Sequence, residues 1–94
     1  MKAQIMEGAI RFYKCHLEGM GLSPQEFSEA DYKRFVTGAP LLEHCLWMLG
    51  RMEELLKEEP PGIEKALGWM GFVQGCFAAL QCFTVQELRD QSRS

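Results

Sequence analysis

The sequence predicts an all-α fold: a small bundle of four to five helices built on an antiparallel hairpin over about residues 41–59 and 63–82. Three observations carry that prediction. Apolar residues recur at steps of three and four through long segments, the period of a helix with one buried face. Proline and glycine mark the joints, at Ser23-Pro24, Thr37-Gly38-Ala39-Pro40 and Pro60-Pro61-Gly62. Ninety-four residues, 47% hydrophobic and 24% charged, suit one globular domain and leave no material for a second core.

The first helix is read from Ala3 to Met20, with Ile5, Ala9, Phe12, Tyr13, His16, Leu17 and Met20 as its apolar face. Glu7 and Arg11 stand four apart as an outward pair. Gly19 and Gly21 flank the end, and Ser23-Pro24 supplies an N-cap followed by proline at the first helical position. Ser28 with Asp31 three residues on offers a second start, so Pro24 to Val36 is one helix or two short ones. Either way Phe27, Ala30, Phe35 and Val36 are the expected buried side, and Glu29 with Lys33 an outward pair.

The clearest stripe is Leu42, Cys45, Leu46, Leu49, Met52 and Leu56, widened by Leu41, Met48 and Leu55, which predicts a third helix from Leu41 to about Glu59. Glu53 and Lys57 form another outward pair on it. Pro60-Pro61-Gly62 cannot continue a helix, and so short a loop makes the next helix, from about Ile63 to Cys82, an antiparallel neighbour. Thr84-Val85-Gln86-Glu87 reads as a capping box that starts a short last helix at Val85. Leu88 is its one strong apolar anchor, and the chain from about Asp90 to Ser94 is expected to fray as a polar tail.

Charge excludes one class of function. A formal net charge of −3 gives no field that draws the chain to phosphate backbones, so nucleic acid is not an expected partner. Glu7, Arg11, Lys14 and Glu18 interrupt any secretory leader, which points to the cytoplasm. Cys15, Cys45, Cys76 and Cys82 all fall within apolar helical patterns and are expected as free thiols. Ala66 to Gln86 carries no charge and is long enough to span a bilayer. Its glutamines, glycines and poverty in leucine and isoleucine favour a helix buried in a bundle, so no membrane is expected.

Chemistry is sparsely signalled. Cys15-His16 and His44-Cys45 are Cys/His dyads, but adjacent helical residues point ~100° apart and cannot easily close on one ion. No metal ligand, cofactor or catalytic residue is therefore assigned. Glu26-x-x-Glu29 and Glu87-x-x-Asp90 resemble the paired acids of small all-α magnesium-dependent nucleotide pyrophosphohydrolases, which makes that enzyme class the alternative. The interval between the two pairs is far longer than in that family.

Surface features point to protein contact instead. Gly68, Gly71 and Gly75 fall on one side of the fourth helix, and each costs about 1 kcal/mol relative to alanine in a helix interior. Close approach of another backbone would offset that cost, within the chain or across a homodimer. Gly68, Trp69, Gly71, Phe72, Gly75 and Ala79 are the candidate interface. Trp47, Trp69, Phe72, Phe77, Phe83 and six methionines are more large apolar surface than a domain this small readily hides. A homodimer through the fourth helix accounts for it, as does a methionine-rich groove for a foreign helix. Glu53, Glu54, Glu58, Glu59 and Glu64 surround the hairpin turn, offset by the N-terminus of the fourth helix or serving as a surface for a basic partner.

The run Trp69-Met70-Gly71-Phe72-Val73-Gln74-Gly75, followed by Thr84-Val85-Gln86-Glu87-Leu88-Arg89, resembles small uncharacterised accessory proteins of tailed bacteriophages and prophages. The likeness covers the last third of the chain and supplies no catalytic residue. It implies a bacterial cytoplasm and a non-enzymatic protein that binds a host or phage protein, modulating or inhibiting it.

Overall fold

The stripe Leu42, Cys45, Leu46, Leu49, Met52 and Leu56 is buried along its whole length, which makes α3 (Ala39–Leu56) the centre of the protein. A computed structural model describes residues 1–93, in the order α1 (Ala3–Gly19), α2 (Glu29–Tyr32), α3, α4 (Ile63–Ala79) and α5 (Val85–Gln91). No strand occurs among the described residues, and α1 and α4 both pack on α3. The all-α bundle on a helical hairpin is therefore the observed architecture.

The buried face of α1 is Met6, Ala9, Ile10, Tyr13 and Leu17. It is rotated from the predicted one, so that Phe12, His16 and Met20 are exposed. The helix stops where Gly21 takes φ 82, and Leu22 N–H reaches back to the Leu17 carbonyl at 3.3 Å. Gln81 plays the same part after α4 at φ 61, with Cys82 N–H donating to the Phe77 carbonyl at 2.8 Å. That closure ends α4 at Ala79, before the expected Cys82.

The largest departure lies between α1 and α3. Residues 22–28 are not helical, and Pro24 starts nothing. Their backbone donors are taken by α3 instead: Ser23 N–H binds Glu43 Oε2 at 3.0 Å, Gln25 N–H the Glu43 carbonyl at 3.0 Å, and Phe27 N–H His44 Nδ1 at 3.1 Å. Only the Ser28 start is used, with Ser28 and Asp31 in a reciprocal capping box. Two backbone and side-chain bonds from Ser28, with Arg34 beside it, hold the Asp31 carboxyl down to about 2. Phe27 and Val36 are half-buried, whereas Ala30 and Phe35 are exposed, so the expected buried side is only partly formed.

Two of the expected helical ion pairs are replaced. Lys14 of α1 takes Glu53 at 2.7 Å, tying α1 to α3 in place of a Glu53–Lys57 pair. Arg34 pairs with Asp31 at 2.7 Å rather than Lys33 with Glu29, and Glu7 and Arg11 are not bridged among the described residues.

Of the expected polar tail from about Asp90, Asp90 and Gln91 are the last residues of α5 and Ser92 is its C-cap, and Ser94 lies outside the described residues. The Thr84–Glu87 capping box opens α5 as predicted. At its other end Tyr13 donates to Gln91 Oε1 at 2.6 Å, while Gln74 Nε2 donates to the Tyr13 hydroxyl at 3.1 Å and to Ser92 Oγ at 2.9 Å. This network joins α1, α4 and α5 around a buried tyrosine, whose ionisation burial pushes up.

Candidate functional site

Helix α4 buries Ala66, Met70, Val73 and Phe77 against the rest of the fold. At ~100° per residue, Gly68, Gly71, Phe72, Gly75 and Ala79 fall on the opposite side. All five are exposed, and a Cβ built on Gly68, Gly71 or Gly75 would meet nothing within 4 Å. The expected close crossing therefore does not occur within the chain. The three glycines share one side of α4, and no element of the described chain lies over them. Phe72 is 49% exposed at one edge of the face and Leu67 37% exposed at the other.

Trp69 is not on that face. It turns to the flank and meets Trp47 of α3 at 6.2 Å between ring centroids, with Lys65 Nζ 5.4 Å from its ring. From Trp47 an aromatic row continues outward: His44 lies 5.4 Å away at 17°, and Phe27 stacks on His44 at 3.8 Å and 5°. Tyr32 of α2 stands edge-on to His44 at 5.8 Å. Tyr32, His44, Trp47, Met48, Trp69 and Phe72 line a concavity of about 300 Å³. Its rim is continuous with the outward face of α4 through Phe72. On the other flank, Gly75, Ala78, Val85 and Leu88 line a shallow groove between α4 and α5.

Sequence reasoning missed this slot because one of its walls, Tyr32, depends on residues 22–32 lying over α3. Histidine inside the apolar stripe of α3 was the available signal. His44 is 3% exposed, and its Nδ1 lies 3.1 Å from the Phe27 backbone nitrogen and 3.3 Å from the Gln25 carbonyl oxygen. Burial pulls its pKa below 6.5, partly opposed by the Gln25 carbonyl and by Glu26 and Asp31.

A pH dependence follows. As pH falls through 6.5 the unfolded chain takes up a proton at this position and the folded chain does not, so the folded state loses stability on acidification. Titration of the His44 ring by NMR is expected to show a midpoint below 6.5, with urea stability declining from pH 7 toward pH 5. A midpoint at or above the free-histidine value would contradict this geometry.

The acids near the hairpin turn do not form one cluster. Glu53 is engaged by Lys14 and Glu54 by Arg51, whereas Glu58, Glu59 and Glu64 are exposed. Glu58 Oε1 lies 3.4 Å from where a Cβ on Gly62, the N-cap of α4, would stand. Glu64 lies one turn before Gly68 on the outward side of α4.

The paired acids of the hydrolase alternative are dispersed. Glu26 sits in the non-helical segment and Glu29 opens α2, while Glu87 Oε1 caps Thr84 N–H at 2.8 Å and Asp90 accepts from Gln86 at 2.9 Å. Among the described residues no three histidine, cysteine or acidic side chains are placed to hold a metal ion. Likewise no helix among them is long and apolar enough to cross a membrane.

All four cysteines are free thiols. Cys15 is exposed, Cys45 is buried in α3, and Cys76 on α4 and Cys82 after it are half-buried. The neighbouring Cys45 side chain holds the Cys76 thiol down, while Cys76 and burial push Cys45 up. Cys82 stands near enough for the Cys76 charge to add to burial in raising it.

Compared with protein-family models, with curated proteins and with solved structures, the chain matches none.

Proposed function

We propose that the protein acts by protein–protein contact, with the outward face of α4 as the contact surface and a homodimer as its resting form. One observation carries this reading. A whole side of α4 exposes bare glycine backbone at Gly68, Gly71 and Gly75 beside a half-exposed Phe72, with no segment of the described chain over it. Glycines in a helix interior cost stability, and here nothing inside the fold repays them. A helix of a second molecule laid along the face would cover the notch and bury Phe72 and Leu67.

The resemblance of the last third to phage accessory proteins supplies the setting: the cytoplasm of a bacterial host, and a host or phage protein that the chain binds and modulates or inhibits. Exposed Glu58, Glu59 and Glu64 at one end of the face would favour a partner with basic residues there. Glu53 and Glu54 contribute less, because each already has a cation. No observation favours the nucleotide hydrolase over this reading.

The test combines sedimentation with affinity capture. Wild type is expected to sediment as a dimer and to retain a discrete protein from a bacterial lysate, and Phe72→Asp to lose one or both while keeping its helical circular dichroism. A monomer at high concentration whose captured proteins are the same with both baits would reject the proposal.

A further inference from the structure

The aromatic slot contains a polar atom that the fold leaves without a partner. His44 is 3% exposed, with Phe27 stacked on its ring at 3.8 Å and Trp47 at 5.4 Å. Its Nδ1 has two backbone neighbours, the Phe27 nitrogen at 3.1 Å and the Gln25 oxygen at 3.3 Å. Its Nε2 makes no hydrogen bond to any described residue. Among the described residues no side-chain nitrogen or oxygen is both fully buried and unbonded, so Nε2 reaches open space, and the space that His44 lines is the slot.

The rest of the lining is Trp47, Trp69, Phe72, Met48 and Tyr32, around about 300 Å³. That volume is at the lower end for ligand pockets, and apolar rings with one convergent polar group are their usual lining. A helix, ~10 Å across, cannot enter it, whereas a single aromatic ring with small substituents can. Rings select a ring, through offset or edge-to-face contacts, and the Met48 thioether packs well against a ring edge. The substituent is set by Nε2. Because Nδ1 lies beside both an N–H and a C=O, the imidazole proton can sit on either nitrogen, and Nε2 donates in one tautomer and accepts in the other. A hydroxyl satisfies both states, while an ammonium or a carboxylate satisfies one.

We infer that the slot binds a small phenol, its ring held among Trp47, Trp69 and Phe72 and its hydroxyl hydrogen-bonded to His44 Nε2. Burial keeps the imidazole neutral at pH 7, and a phenol with a pKa of about 10 is neutral there too, so neither brings an unpaired charge into the slot. The inference goes beyond the docking surface: it concerns a ligand taken up beside α4 by one chain, not the molecule laid over the glycines.

The experiment titrates the full chain with p-cresol, and with toluene as the same ring lacking the hydroxyl, followed by NMR. Both tryptophans of the chain, Trp47 and Trp69, line the slot, so their two indole N–H signals report on it directly. p-Cresol is expected to shift both signals saturably, and toluene to bind about tenfold more weakly for want of one hydrogen bond. His44→Phe should bind the two probes alike, and Trp69→Leu should weaken both. The wild-type comparison decides the matter even if His44→Phe folds poorly. No saturable shift up to the solubility of p-cresol, or equal affinity for p-cresol and toluene, would overturn the inference. So would tighter binding of N-acetyltyrosinamide than of p-cresol, which would make the occupant a tyrosine of a partner protein. A chain that sediments as a monomer and still binds p-cresol would remove the dimer and leave this inference standing.

Discussion

Phe77→Ala is expected to cost about 3–5 kcal/mol of folding stability, the range for truncating a buried phenylalanine. Phe77 has no exposed surface and packs against two other rings, Tyr13 at 4.8 Å and 63° and Phe83 at 5.6 Å and 65°. Losing it removes the edge-to-face partner of both and opens a cavity at the point where α1, α4 and the turn before α5 meet. The Tyr13 hydroxyl bonds to Gln74 and Gln91 are aimed by the same ring, so α5 should loosen as well. Domains of this length are stable by roughly 5–14 kcal/mol, so the variant should lose a large share of its margin. Phe72→Ala is the control: its ring is 49% exposed and touches no other core ring, so truncation should cost about 1 kcal/mol or less. Urea titration of both variants checks the contrast, and equal losses would show that the inner and outer faces of α4 have been misassigned.

What the sequence made legible was whatever depended on residues close together in the chain. The α3 stripe is buried as patterned, and both capping boxes form, because each needs only neighbours within one or two turns. The face of α1 was misplaced by its surplus of apolar residues. Met6 and Ile10 point inward while Phe12 and Met20 do not, and only the position of α3 decides between the two sets. Residues 22–28 were illegible for a related reason. Ser23-Pro24 is a sound helix start in isolation, yet Glu43 and His44 offer the same backbone donors better partners. The candidate site divides along the same line. Gly68, Gly71 and Gly75 were identified by a local cost that the helix itself reveals, whereas the slot walled by Tyr32, His44 and Trp69 exists only once the chain has folded back over α3.

The glycine notch gives the second large effect, and its two halves have opposite signs. Replacing Gly68, Gly71 and Gly75 together by alanine is expected to raise the stability of the isolated chain by about 2–3 kcal/mol, at about 1 kcal/mol each. Each new Cβ would project into open space, so no repacking cost opposes the gain in helix propensity. Association should move the other way. If a second helix seats on the bare backbone, three methyl groups hold it off and overpack the contact, for about 1–3 kcal/mol or more. By the relation of 1.4 kcal/mol per tenfold, that weakens the dimer about 5- to 150-fold. The two effects separate experimentally because dimerisation adds to apparent stability only at concentrations where dimer is populated. Thermal melts on dilute protein read the fold, and sedimentation equilibrium across a concentration series reads the association. A variant that is both more stable and more weakly associated is the signature of glycines retained for contact. One that is more stable with its dissociation constant unchanged would mean that no helix crosses at the notch, and the outward face of α4 would then have to be given up as the contact surface.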